Sequence, residues 1–253
     1  MLPPDTIEQH PSPNHGPRPA GTPVDILLLH YTGMETDVGA LSWLCNPASQ
    51  VSSHYFIFED GRVVQLVDES RRAWHAGRGS WAGDTDINSR SIGIELAHPG
   101  HEHGYRAFAD PQIAALIALS SGILSRHPIP PARVLAHSDV APARKEDPGE
   151  LFPWQRLHAA GIGHWVPPAP VAAGAAFRRG DRGDAVADLQ HRFRQYGYGI
   201  DEESEFGPET EAVVVAFQRH FRPACFDGVA DAATLATLDR LIAALPSAVP
   251  AGA

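Results

Sequence analysis

Apolar positions fall into two regimes along this chain. Through the first 165 residues they come in short blocks, the clearest being Val24-Asp25-Ile26-Leu27-Leu28-Leu29, closed by His30-Tyr31-Thr32-Gly33. A run of four to eight β-formers that ends in glycine signals a buried strand. Similar blocks predict strands over 24–30, 53–59, 62–67 and 91–97, and Glu59-Asp60-Gly61 supplies a hairpin turn between the second and third. Helical patterns cover residues near 36–45, 110–126 and 154–160. Strands mixed with helices in this way predict an α/β domain, a mixed β-sheet flanked by helices.

After Trp165 the pattern changes. Val166-Pro-Pro-Ala-Pro-Val-Ala-Ala-Gly-Ala-Ala176 carries no charge and no periodic apolar face, which predicts a semi-extended spacer over 161–176. Beyond it the apolar residues recur at helical steps, first at Val186, Leu189 and Phe193. Gly207-Pro208-Glu209-Thr210 starts a second helix, with proline in the first turn, acids near the positive end, and Val213, Val214, Ala216 and Phe217 following. A third starts at Asp231, a candidate cap, and presents Leu235, Leu238 and Leu241. A small all-α three-helix bundle is therefore expected over 177–243. The remaining divisions are an N-terminal arm (1–23), the α/β domain (24–160) and a tail (244–253).

With 253 residues, two modest domains fit the usual size of about 100 to 150 residues each. The formal charge of −10 offers no basic stripe to release counterions, which argues against nucleic acid or an anionic membrane as partner. The first 17 residues have neither a charged start, an apolar core nor a lipid-acceptor cysteine. No apolar stretch approaches the roughly 20 residues that span a bilayer. A cytoplasmic location is expected, with the periplasm or envelope as the alternative if the N-terminus has been trimmed. Cys45 and Cys225 lie in different units and form no disulfide framework, which a reduced compartment accommodates.

Candidate chemistry gathers between His137 and Trp154. Lys145, the one lysine beside nineteen arginines, lies eight residues after His137 and two before Asp147. An ammonium is a compact donor whose pKa can be tuned, whereas guanidinium is a fixed, permanent charge. Lys145 is thus either a chemical requirement or the single leftover of an arginine-rich codon bias. His137 and Asp147 are donors of the kind zinc accepts, and Pro148-Gly149 turns the chain directly after the aspartate. His30, at the mouth of the first strand, is the third candidate. A His2Asp set leaves a fourth tetrahedral position open, the pattern of catalytic rather than structural zinc. Spacing alone does not establish the set, because no helical or strand register joins residues so far apart.

Five separated segments add to this reading: Ile26 to Gly33 (ILLLHYTG), Val51 to Phe58 (VSSHYFIF), Ala73 to Gly77 (AWHAG), Ser91 to Leu96 (SIGIEL), and His137 to Trp154. In order and approximate spacing they resemble the zinc-dependent N-acetylmuramoyl-L-alanine amidases of bacterial peptidoglycan recycling and turnover. The resemblance covers roughly residues 24 to 160. It implies one Zn2+ per chain on His30, His137 and Asp147, an acid-base role for Glu95, and a catalytic lysine at Lys145. The bond cut would join the lactyl group of N-acetylmuramic acid, or its anhydro form, to L-alanine, making peptidoglycan fragments the partner. Within a strand, Glu95 would sit among isoleucines, where burial raises a carboxyl pKa towards working pH.

Other residues divide between chemistry and packing. His54 is expected to be a packed, hydrogen-bonded histidine outside the zinc set. Trp74 and His75 are candidates for lining a substrate cleft or equally for the core, and Asn88 and Arg90 are candidate donors to the peptide. His98, His101 and His103 lie in a glycine- and proline-punctuated stretch that predicts a solvated loop without catalytic duty. Residues 177–243 resemble the three-helix peptidoglycan-binding module, through Arg179-Gly-Asp-Arg-Gly-Asp184, Phe206-Gly-Pro-Glu-Thr210 and Phe226-Asp-Gly-Val-Ala-Asp231. Those motifs chiefly cap and turn helices, so glycan binding and simple buttressing both stay open. The rival reading of the whole chain is a non-catalytic muropeptide-binding sensor.

Overall fold

The computed structural model describes residues 7–245, so the expected tail lies outside the described residues from 246 onward. Among these residues eight strands form, β1 (Ile7–Gln9), β2 (His15–Pro17), β3 (Ile26–Tyr31), β4 (Tyr55–Ile57), β5 (Val63–Gln65), β6 (Arg71–Ala73), β7 (Ser91–Leu96) and β8 (Val134–Ala136). Six of them make one sheet in the order β1-β5-β4-β7-β3-β8, parallel except for the β4–β5 hairpin, while β2 and β6 pair separately. The hairpin sits where Glu59-Asp60-Gly61 predicts it. Four short strands have no signal of their own in the sequence. Ile7-Glu8-Gln9, for instance, has one apolar residue and becomes a strand by pairing with the exposed edge of β5. The N-terminal arm thus extends the sheet.

The helices of the first unit are α1 (Asp37–Leu44), α2 (Ile87–Arg90), α3 (Asp110–Arg126), α4 (His137–Val140) and α5 (Trp154–Ala159). Alternation along the central strands assigns each face. Leu27 and Leu29 of β3 and Ile92, Ile94 and Leu96 of β7 pack with Ile113, Leu116, Leu119 and Ile123 of α3 and with Trp154 and Leu157 of α5. On the opposite face, Phe56 and Val64 pack with Ala40 and Leu44 of α1. The rest of that face belongs to one continuous apolar cluster that runs from Ile26 and Leu28 through Ala76, Trp81 and Val140 into the C-terminal helices.

Those helices, α6 (Asp184–Tyr196), α7 (Pro208–Phe221) and α8 (Ala232–Ala243), form the expected bundle. Val186, Leu189, Phe193, Val213, Val214, Phe217, Leu238 and Leu241 are all buried, and Asp231 caps α8 by accepting the Thr234 N–H at 2.8 Å. The bundle does not hang free. Trp81 is edge-on to the rings of Tyr196 and Tyr198, and Gly197, at φ 139°, leaves room for it where a Cβ would stand 2.5 Å from the indole. Residues 161–176 have almost no regular structure, yet Ala169 is buried and its N–H donates to Thr237 Oγ1 of α8 at 2.9 Å.

Candidate active site

Three neighbouring parallel strands, β7, β3 and β8, end side by side, and ligand sites in such sheets form outside the carboxyl ends of strands. The register places His30 opposite Glu95 and Leu29 opposite Ala136, so His137, the next residue after β8, comes up beside His30. His30 and Glu95 share the face that carries Leu28 and Gly93. The chain then turns through α4 and returns at Lys145 to Asp147. This return is fixed by backbone bonds from the Lys145 N–H to Ala141 O and from the Ser138 N–H to Asp147 O, both 3.0 Å.

His30, His137 and Asp147 converge and are buried. His30 Nδ1 lies 2.9 Å from His137 Nδ1 and 3.2 Å from Asp147 Oδ2, and His137 Nδ1 lies 3.1 Å from the same oxygen. The other ring nitrogens fix the tautomers. The hydroxyl of Ser91 donates to Ile87 O at 2.7 Å, so it must accept from His75 Nε2 at 3.2 Å. Neutral His75 then accepts at Nδ1 from His30 Nε2–H, 3.0 Å away. Burial, followed by the neighbouring His137, lowers the His30 pKa to about 4, which keeps the ring neutral with the Nδ1 lone pair free. His137 Nε2 donates to Ala76 O at 2.9 Å, which turns its Nδ1 lone pair towards the same point. Two imidazole lone pairs and a carboxylate oxygen therefore face one another about 3 Å apart, mutually repulsive without a cation between them. A tetrahedral zinc with bonds of about 2.0 to 2.1 Å needs donors about 3.3 Å apart, and this donor set fits.

Burial works against the Asp147 carboxylate, and positive charge placed against it, whether on His137 or on a cation between the three donors, holds its pKa well below the usual carboxylate range. Glu95 moves the other way. Burial, then the Asp147 charge, pushes its carboxyl up to about 8, with Lys145 opposing. Its Oε2 is enclosed and has no hydrogen-bond partner, a costly state for a carboxylate without a task. Glu95 and Lys145 line the same cleft of about 410 Å³ as the three convergent donors.

With this geometry in place, the comparisons with known proteins are decisive. Residues 20–150 match the N-acetylmuramoyl-L-alanine amidase family, and residues 182–238 match a peptidoglycan binding domain family. The chain is 40% identical over 232 residues to the N-acetylmuramoyl-L-alanine amidase AmiD of Escherichia coli, covering 87% of this chain and 82% of AmiD. It belongs to the N-acetylmuramoyl-L-alanine amidase family. Among solved structures, a complex of E. coli AmiD with anhydro-N-acetylmuramic acid-L-Ala-D-γ-Glu-L-Lys superposes with a TM-score of 0.75 at 36% identity, covering 88% of this amidase and 91% of AmiD. AmpDh3 from Pseudomonas aeruginosa gives 0.74 at 31% identity, covering 98% and 100%.

The structure sorts the remaining residues of this amidase. His75 borders the cleft, but its ring nitrogens are engaged by His30 and Ser91, so it orients His30 instead of facing substrate. Gly93 makes this possible, since a Cβ there would stand 2.6 Å from the His75 ring. Asn88 lies behind the cleft, where its Oδ1 accepts from the backbone N–H groups of His75 and Ala76 at 3.0 and 2.9 Å. Arg90 sits at the far, amino end of β7, bound to Asp25 and Asp84, and is a framework cation away from the cleft. Trp74 is half-buried near Gly16 and outside the cleft lining, its backbone tied to Ser52. His54 lies beneath His75, accepting the Gly93 N–H at 2.9 Å, and burial lowers its pKa to about 3.

Two features of the cleft had no local signal. His101, expected on a solvated loop, lines it together with Glu102. Its ring stacks on Tyr105 at 3.9 Å and bonds Tyr31 at 2.8 Å and Glu150 at 3.1 Å. The same cleft is lined by the apolar residues Met34, Trp43, Leu44 and Val51, of which Trp43 is 49% exposed. Among the described residues, the histidines of the loop form no convergent metal group.

Proposed function

We propose that this amidase uses zinc to hydrolyse the amide between N-acetylmuramic acid, or its anhydro form, and L-alanine in peptidoglycan fragments. The observation that carries the reading is the set of inward lone pairs on His30, His137 and Asp147, held there by tautomers that the surrounding hydrogen bonds dictate. When bound, zinc supplies a Lewis acid that polarises the amide carbonyl and makes water a stronger acid.

The chain's own groups do the rest. Glu95 takes a proton from the attacking water and passes it to the departing L-alanine nitrogen, which must leave as a neutral amine. Burial of the Glu95 carboxyl favours its protonated form and so lets it hold that proton between the two transfers. Lys145 presents its ammonium to the oxyanion that develops as the carbonyl becomes tetrahedral. The apolar residues around Trp43 suit the sugar face and lactyl methyl, while His101 and Glu102 offer polar contacts in the same cleft. The substrates named for AmiD and AmpDh3, anhydromuramyl peptides, support this class of substrate for the present chain.

Zinc per chain and release of L-alanyl peptide from a muropeptide, measured for wild type, Glu95→Ala and Lys145→Ala, test the reading. The expected result is one zinc in each, with turnover down by about 10²- to 10⁴-fold in the variants. Wild-type turnover in both would refute the roles given. Tight muropeptide binding without cleavage by the wild type would instead make the chain a sensor.

A further inference from the structure

The helix that carries His137 is too short to hold itself. α4 has four residues, a single turn, and isolated helices below about 12 to 15 residues are marginal in water. Yet α4 frames the whole site. His137 is its first residue, its Ser138 N–H holds the Asp147 carbonyl, and the carbonyl of Ala141 just beyond it accepts the N–H groups of Arg144 and Lys145, both at 3.0 Å. Whatever fixes α4 fixes the metal centre.

The fixing group is Asp139, which is fully buried. Its Oδ2 accepts the Ala136 N–H at 2.8 Å, closing the start of the turn. Burying a carboxylate is strongly unfavourable without further donors, and Asp139 receives two, both from the C-terminal bundle. Tyr198 donates its hydroxyl to Oδ1 at 2.7 Å, and His220 donates from Nδ1 to Oδ2 at 2.7 Å. Both are themselves buried, His220 stacked between Trp154 and Phe221 with centroids 3.7 and 3.8 Å away. The residue before it, Arg219, reaches Glu146 at 3.2 Å, between Lys145 and Asp147 in sequence. α7 therefore grips the two segments that bring His137 and Asp147 to the site.

We infer that the C-terminal bundle is a positioning element of the metal centre, with Tyr198 and His220 holding Asp139 and, through it, the turn that presents His137. A module serving only to tether the enzyme to glycan has no need of buried donors beneath a catalytic helix. The inference rests on the zinc reading above and adds that zinc affinity depends on side chains far along the chain from every ligand.

The test uses the full-length chain and four variants, Tyr198→Phe, His220→Leu, His220→Asn and, on the outer surface of the bundle, Arg179→Ala. Apparent zinc affinity is read by competition with a chromogenic chelator at low temperature, where circular dichroism shows each variant folded, and kcat and KM are read on a soluble muropeptide. Tyr198→Phe and His220→Leu are expected to weaken zinc binding by about 10- to 100-fold, the usual effect of removing a group that orients metal ligands. They should lower kcat at subsaturating zinc with little change in KM. His220→Asn places an amide N–H where Nδ1 was and should recover much of the affinity, and Arg179→Ala should match wild type. If His220→Leu fails to fold, Tyr198→Phe, which keeps the ring and loses one hydroxyl, decides alone. Wild-type zinc affinity in folded Tyr198→Phe and His220→Leu would overturn the inference and leave the zinc reading standing. Absence of zinc binding by the wild type would overturn both.

Discussion

Glu95→Gln should make the metal-free protein more stable and the enzyme nearly inactive. Glu95 has an ordinary pKa of 4.5 and a folded value pushed up to about 8 by burial and by Asp147. Between those values the folded state holds a proton that the unfolded state has released. Stability is then fully present below pH 4.5 and drains away as pH rises towards 8, by at most about 1.4 kcal/mol per pH unit. At pH 7 the unscreened cost is about 3 kcal/mol, from 2.5 pH units at that slope. Because Glu95 opens on a wet cleft, screening leaves about 1 to 2 kcal/mol. Glutamine is neutral at every pH and occupies nearly the same space, so it escapes this penalty.

Urea denaturation of wild type and Glu95→Gln with chelator present, repeated from pH 5 to 8, measures the difference directly. Asp147, His30 and the other titrating groups are common to both proteins and largely cancel. The variant's advantage should be close to zero at pH 5 and reach about 1 to 2 kcal/mol at pH 7. Under zinc-loaded conditions the same substitution should lower kcat by about 10²- to 10⁴-fold, since an amide cannot carry the proton. A difference that does not change with pH, or a less stable variant, would refute the burial argument. Opposite signs for stability and turnover mark a group kept at a cost for chemistry.

Four further outcomes follow from the geometry. Gly93→Ala drives a methyl into His75 and should cost about 1 to 3 kcal/mol, with zinc affinity falling about 10- to 100-fold in chelator competition. Lys145→Arg should keep its zinc by metal analysis yet lose about 10²- to 10³-fold in single-turnover rate, because a planar fork cannot replace a compact ammonium. Trp81→Ala should cost about 3 to 5 kcal/mol and leave one calorimetric transition, since its cluster spans sheet and bundle; two separated transitions in the wild type would contradict that shared core. Trp43→Ala should raise KM for muropeptide about 3- to 10-fold at unchanged kcat, as expected for loss of one exposed aromatic contact.

What the chain reveals before folding depends on whether a residue's environment is local. The runs of β3 and β7 are buried on both faces and declare themselves as continuous apolar blocks, and α3 falls on the expected residues 110–126 because its periodicity is internal. Ile7–Gln9 and Arg71–Ala73 are strands only because another strand offers an edge, so no propensity could announce them. The donors at strand ends were legible through position and motif. Asn88 was not, because an amide oxygen that holds two backbone N–H groups looks the same in sequence as one aimed at substrate. His101 was misplaced for a related reason. Glycine and proline correctly mark a loop, but the loop returns to the cleft because His101 stacks on Tyr105 and bonds Tyr31, contacts absent from any local pattern.

The relation between the two units shows the same limit from the other side. Helical periodicity states that Val213, Val214 and Phe217 must be covered, but it does not state that the cover continues into Trp81 and Val140 of the amidase sheet. Proline and alanine over 166–176 describe a stretch that can extend, and an extendable stretch is compatible with a tightly docked partner as well as a loose one. The docking is decided by side chains whose identity looks unremarkable. Tyr198 follows a helix, and His220 is one polar residue near the end of another, yet together they satisfy a carboxylate that lies two residues from His137. A buried Asp139 without them would carry an unpaid desolvation cost, so the same hydrogen bonds that anchor α4 also oppose separation of the two units. Docking of the bundle and the geometry of the catalytic centre are therefore one equilibrium, and a substitution at either end should be felt at the other.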